Sequence, residues 1–303
     1  MIRGPIARWL VSLGLLTSLM LWLDPARIVG QLGTLAPAWL FLALAVSIAQ
    51  TGLSAWRWRF TAHRLGLTLS PTRAMGDYYL AGFVNQILPG GVLGDAWRAR
   101  RHARQSGRAG AAWRAVILER FSGQVAVIGL AVMAVVLYRP WRDAFAPALV
   151  GLGLVGILAG LVGAAMWPRL AQRADWVRQF GRDLDRALLA GRAWPLQLGS
   201  SVLIVLSYLL IFAAAARGIG LSLPVPQLML LALPVLLAML IPISVAGWGL
   251  REGAAGAVWL LSGMPPEQGV AASIAYGLVV LLASLPGAVV LVMPTSSKAH
   301  IHQ

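Results

Sequence analysis

The chain has 303 residues, 59% of them hydrophobic and 12% charged, whereas a soluble domain is about half apolar and a quarter charged. Its mean hydropathy is +0.76. These values exclude a disordered chain, a disulfide scaffold and an ordinary cytosolic enzyme, so an integral membrane protein is expected. The 25 Lys and Arg outnumber the 10 Asp and Glu, for a net charge of +15. They fall in short loops between apolar runs rather than on one soluble face. That placement points to membrane orientation and anionic lipid headgroups, not to nucleic acid. Cysteine is absent, which removes disulfides, thiolate metal sites and cysteine nucleophiles. His63, His102, His300 and His302 fall in expected loops or the tail, and no metal or other cofactor is expected.

A spanning helix needs roughly 20 apolar residues. The first candidate runs from Ile6 to Leu23 and is expected as a retained anchor, because Asp24-Pro25-Ala26-Arg27 offers no small-residue cleavage site. The second runs from Pro37 to Ala55 and should end at an interface girdle, Trp56-Arg57-Trp58-Arg59. Further full spans are expected at Val116–Tyr138, Phe145–Trp167, Leu196–Ala216 and Gly269–Met293. Two apolar segments are interrupted. Met75–Gly94 contains Asn85, Gln86, Pro89, Gly90, Gly91 and Gly94, and Leu228–Leu261 breaks at Pro242 to Gly249. Broken backbone at membrane depth is tolerated only inside protein or along a watery cavity.

Arginine placement orients these segments. Both flanks of Met75–Gly94 are rich in arginine and free of acids, so that segment should enter and leave on the cytoplasmic side as a re-entrant hairpin. The second broken segment should dip in from outside. The fold expected is an all-α polytopic membrane protein with six full spans, two re-entrant hairpins and both termini cytoplasmic. Its halves, residues 6–138 and 145–293 of a single transmembrane domain, would form an inverted repeat, a recurring transporter layout.

The two breaks hold the scarce ionisable residues. The first reads Asn85, Pro89, Gly90, Gly91, Asp95 and Arg98. The second reads Ser244, Gly247, Arg251 and Glu252. In each, a proline leads a small-residue turn followed by an acid and an arginine, so amides and a helix start can face an anion. An ionisable group at membrane depth is a functional candidate by default. For Arg251 and Glu252 a headgroup or proton role is favoured. For Asp95 and Arg98 the choice stays open between that role and Asp95 capping a helix while Arg98 snorkels. Glu119 and Arg120, adjacent in a span, are expected as a structural ion pair that could also join the site. Asp175, Asp183 and Asp185 lie in a basic loop and should be solvated. No metal-spaced His cluster, Walker loop, nucleophile elbow or Rossmann fingerprint is present, so an enzyme is not expected.

The Asn85, Leu88 to Gly91, Gly94, Asp95, Arg98 stretch and the Pro242 to Ser244, Gly247, Gly249, Arg251, Glu252 stretch resemble the lysylphosphatidylglycerol synthase transmembrane-region family, a flippase-like domain. The resemblance covers roughly Trp9 to Val292. It implies movement of lipids, especially aminoacylated phosphatidylglycerol, between leaflets of the bacterial inner membrane. The longest polar stretch, Pro168–Pro195, is too short for the soluble aminoacyl-transferase domain of the two-domain synthases, so aminoacyl synthesis is not expected of this polypeptide. The expected partners are a membrane phospholipid substrate, anionic headgroups and a lipid-modifying enzyme. The rivals to transport are a membrane-embedded transferase using a lipid-phosphate donor and a non-transporting accessory subunit.

Overall fold

A computed structural model describes residues 5–23, 25–33, 36–88, 91–138, 141–142, 166, 175–240 and 244–292. The described chain is helical: α1 Pro5–Trp22, α2 Pro25–Leu32, α3 Pro37–Arg64, α4 Pro71–Ile87, α5 Leu93–Ser106, α6 Ala109–Leu137, α7 Asp175–Leu184, then a π-turn Asp185–Leu189, α8 Ala193–Gly218, α9 Val225–Ala238, α10 Leu250–Leu261, α11 Pro266–Ser284 and α12 Pro286–Val292. Pro37, Pro71 and Pro266 each stand at the first helical position, where the missing N–H costs nothing and φ is already helical. Gly107 closes α5 at φ 64°. The expected span Phe145–Trp167 lies outside the described residues except for Met166.

Among the described residues, four stretches are long and apolar enough to cross a membrane: Pro37–Arg64, Ala109–Val136, Ala193–Gly218 and Pro266–Leu291. The fold is therefore an all-α polytopic membrane protein. α3 and α8 pack together at its centre, and each half contributes a hairpin, α4 with α5 and α9 with α10. In the described chain, a long helix, a broken hairpin and a long helix occur in each half.

Two boundaries differ from expectation. α3 does not stop at Ala55 but continues to Arg64, 28 residues in all. Trp56-Arg57-Trp58-Arg59 is therefore helix rather than an interface end. Trp56 is exposed and stacks on Phe60, whereas Arg57 and Trp58 are buried. The helix continues because one face still has protein to pack against. α6 likewise begins seven residues before the expected Val116.

The hairpins close through backbone contact. A Cβ on Gly94 would overlap the Ala81 carbonyl, so only glycine lets α5 approach α4 there. A Cβ on Gly287 would overlap the Tyr79 carbonyl, which seats α12 on α4. α11 and α12 thus run from the second hairpin, where α11 packs on α10, to the first.

Candidate functional site

The first break organises a buried charge network. Asp95 is the third residue of α5, but its carboxylate does not cap the helix. Asn85 does that, accepting the Gly94 N–H on Oδ1 at 2.8 Å. Asp95 instead accepts from Arg98 Nε on Oδ1 (2.9 Å), and from Arg120 Nη2 (2.5 Å) and Asn85 Nδ2 (3.2 Å) on Oδ2. Arg98 does not snorkel; it is 1% exposed. Its guanidinium is held 4.7 Å from the ring centres of both Trp58 and Tyr78, a cation–π placement on two sides. It also donates from Nη2 to Glu119 Oε2 at 2.6 Å.

Glu119 is fully buried. Besides Arg98 it receives Arg57 Nη2 and, at 3.2 Å, the Tyr78 hydroxyl. The expected Glu119–Arg120 ion pair is not formed. Successive helical residues point about 100° apart and do not face each other. Glu119 turns into the bundle, while Arg120 turns to Asp95 with its side chain 44% exposed. The network holds three guanidiniums, Arg57, Arg98 and Arg120, against two carboxylates, Asp95 and Glu119. Arg98 Nη1 and Arg57 Nε are buried without a hydrogen-bond partner among the described residues.

Sequence reasoning passed over Arg57, Trp58 and Tyr78. Arg57 also donates to Ser201 Oγ of α8 at 2.8 Å. It belongs to a buried polar stripe on α3, Ser47, Gln50, Ser54, Arg57 and Thr61, spaced by three and four residues as one helix face requires. Gln197 of α8 donates to Thr61 Oγ1 at 2.8 Å. That spacing was the available signal.

The second break builds a separate, balanced pair. Arg251 and Glu252 are both fully buried. Glu252 Oε1 accepts from Arg251 Nε (2.9 Å), Arg251 Nη2 (2.6 Å) and Ser273 Oγ (3.1 Å), and Oε2 accepts the Gly249 N–H at 2.6 Å. Arg251 lies 4.5 Å from the Trp248 ring centre and 5.5 Å from that of Tyr276. Gly247 has φ 84° beside Met239. Ser244 is buried with its hydroxyl unpaired among the described residues, and the next N–H, Val245, donates to Ser12 Oγ of α1 at 2.9 Å.

The structure therefore divides the candidate residues. Asn85, Asp95, Arg98, Glu119 and Arg120 come together, and Gly247, Arg251 and Glu252 come together. The two networks share no residue: α5 packs on α4 and α6, and α10 on α9, α11 and α1, while α11, which carries Ser273 and Tyr276 of the second network, also packs on α3 and α4. Gly91 sits at φ 62° with nothing within 4 Å of a Cβ, so its role is conformational rather than close approach. Pro89 and Gly90 lie outside the described residues, as does Pro242. Asp175 and Asp185 are exposed, but Asp183 is buried, accepting from Arg114 Nε at 2.5 Å and Gln179 Nε2 at 3.0 Å. His102 is no loop residue. It is buried in α5, with Nε2 3.1 Å from the Thr68 carbonyl oxygen.

A family model described as Lysylphosphatidylglycerol synthase TM region matches residues 9–287. The chain belongs to this family and is a multi-pass membrane protein with a lipid-related role. Comparisons with curated proteins and with solved structures found no match.

Proposed function

We propose that this member of the lysylphosphatidylglycerol synthase TM region family moves an anionic or aminoacylated phospholipid, or a related lipid phosphate, between the leaflets of the bacterial inner membrane, and is a transporter rather than an enzyme. The observation that carries this is the charge of the first network, three arginines to two carboxylates, with Arg120 as its exposed edge. An uncompensated buried charge is costly. A phosphate on Arg120 would offset it through two parallel hydrogen bonds. Moving a charged headgroup through about 30 Å of hydrocarbon needs such a polar path, while the acyl tails stay in lipid. The balanced Arg251–Glu252 pair has no charge left for a ligand, so it serves as the structural anchor of the second hairpin. Alternating exposure of the first network between the two halves would carry the headgroup across.

The test is leaflet exchange in liposomes holding the pure protein, with fluorescent phosphatidylglycerol, its lysyl form and polyprenyl phosphate in turn, each with and without a pH gradient. Exchange of at least one lipid is expected, and Arg120→Gln should lower it about tenfold, the scale of one lost charge-assisted contact. If the native protein accelerates none of them, the transport proposal fails in favour of the accessory role. A new lipid product in the same liposomes would instead identify a transferase.

A further inference from the structure

Outside both networks, α7 lies beside the first turns of α6, where Arg114 precedes Glu119 by five residues. On its inner face Val177 is buried, and Phe180 and Leu184 pack against an alanine-rich patch that includes Ala111, Ala112 and Ala115. These alanines open a helix apolar enough to cross the membrane, so α7 sits at the depth of the membrane surface. Its outer face carries Trp176, 73% exposed, with Arg178 and Arg182 also exposed. On this face, reaching Arg114 of α6, is an open cavity of about 490 Å³ lined by Arg114, Asp175, Trp176, Arg178, Gln179 and Arg182.

The arginines around this cavity are held by a relay of side chains. Arg182 Nη2 donates to Gln179 Oε1 at 2.7 Å, Gln179 Nε2 to Asp183 Oδ1 at 3.0 Å, and Arg114 Nε to Asp183 Oδ2 at 2.5 Å. Arg178 pairs with Asp175, whose side chain is 90% exposed. Such a pair is screened and easily exchanged for another anion. With Asp175 and Asp183 counted, one positive charge is left over. An exposed tryptophan beside arginines at the edge of a spanning helix is the pattern of a membrane interface, with the indole at headgroup level.

We infer that the cavity formed by Arg114, Arg178, Arg182 and Trp176 binds the phosphate of an anionic phospholipid from the adjacent leaflet, as a site separate from the transport network. Arg178 and Arg182, one turn apart, take the phosphate. Trp176 lies along the upper acyl chain, and the glycerol backbone fills the cavity mouth. A free phosphate offers the same charge but nothing for Trp176.

The test is photolabelling of the full chain in nanodiscs by phosphatidylglycerol carrying a photoreactive group on its glycerol, with the labelled peptide mapped by mass spectrometry. Label is expected on residues 175–182. It should be competed by unlabelled phosphatidylglycerol but not by phosphatidylcholine, and reduced roughly thirtyfold in R178Q/R182Q, the scale of two surface arginines near lipid. Those two side chains are exposed, so the variant should keep the native melting temperature. If it does not, R182Q alone gives the comparison, with a smaller loss expected. Label unchanged in the variant, or equal competition by phosphatidylcholine, overturns the site. Loss of label to millimolar inorganic phosphate would assign the cavity to a soluble anion and overturn the lipid. The readout is bound lipid, so failure here and failure of transport are distinguishable.

Discussion

Arg57 and Glu119, 62 residues apart in the chain, meet as a fully enclosed ion pair between α3 and α6. Glu119 also takes Arg98, so a single carboxylate faces two guanidiniums, and a third, Arg120, is left for Asp95 at the edge. The interior of the network is enclosed, and Arg120 at its edge is exposed.

Stability and transport should therefore separate. Glu119→Gln leaves Arg57 and Arg98 buried without their shared counter-charge and should cost roughly 3–5 kcal/mol. Arg120→Gln leaves Asp95 with Arg98 and Asn85 and should cost about 1 kcal/mol or less. Thermal unfolding in detergent gives the first comparison and leaflet exchange the second. Equal destabilisation by both would contradict the division into interior and edge.

Gly91 and Gly277 should fail for different reasons. Gly91 needs a positive φ but has open space around it. Gly91→Asn should be nearly neutral, while Gly91→Val should cost about 1–2 kcal/mol. At Gly277 the demand is space, because a Cβ there would overlap Arg251 Nη2 and lie 2.8 Å from its Cζ. Even Gly277→Ala must push Arg251 off Glu252, and it should destabilise more than Gly91→Val. Melting temperatures of the three variants decide this, and the reverse order would count against the geometry of the second network.

His102 should set an acid limit on stability. Burial lowers its pKa from the ordinary value of 6.5, with Arg73 and His63 adding to that, while the Thr68 carbonyl and Asp77 oppose it. The Trp58 ring meets the imidazole edge-on. As pH falls below about 6.5 the unfolded chain binds the proton first, so stability present above that pH is lost below it. His102→Gln keeps a donor for Thr68 and should flatten the decline in melting temperature between about pH 7.5 and pH 5. Parallel decline in both proteins would remove His102 as the cause.

The hairpin entry can be read from labelling, since the native chain has no cysteine. Cysteines at Arg73 and Arg104, at the outer ends of α4 and α5, should react with an impermeant reagent from the same side, and one at Ser222 from the other. Opposite accessibility of Arg73 and Arg104 would make the first hairpin a span and remove the inverted repeat.

Local sequence alone determined the membrane class, the positions of both breaks and the glycines they require, because apolar run length and glycine conformation are properties of short segments. It also marked Asp95, Arg98, Arg251 and Glu252, since charge at membrane depth is conspicuous wherever it falls. Partner choice was another matter. Adjacency suggested Glu119 with Arg120, but the helix turns neighbours apart, and the true partners came from α3 and α5. Arg57 looked like an interface residue because the apolar run ends at Ala55. Only the packing of α3 against α8 and α6 keeps the helix going and buries its polar stripe. Asp183 was hidden in the same way by the basic loop around it, and its burial depends on Arg114, 69 residues away. Burial and ion pairing depend on what a distant segment brings to the same place, so only the tertiary structure decided that one network is balanced and the other carries an excess positive charge.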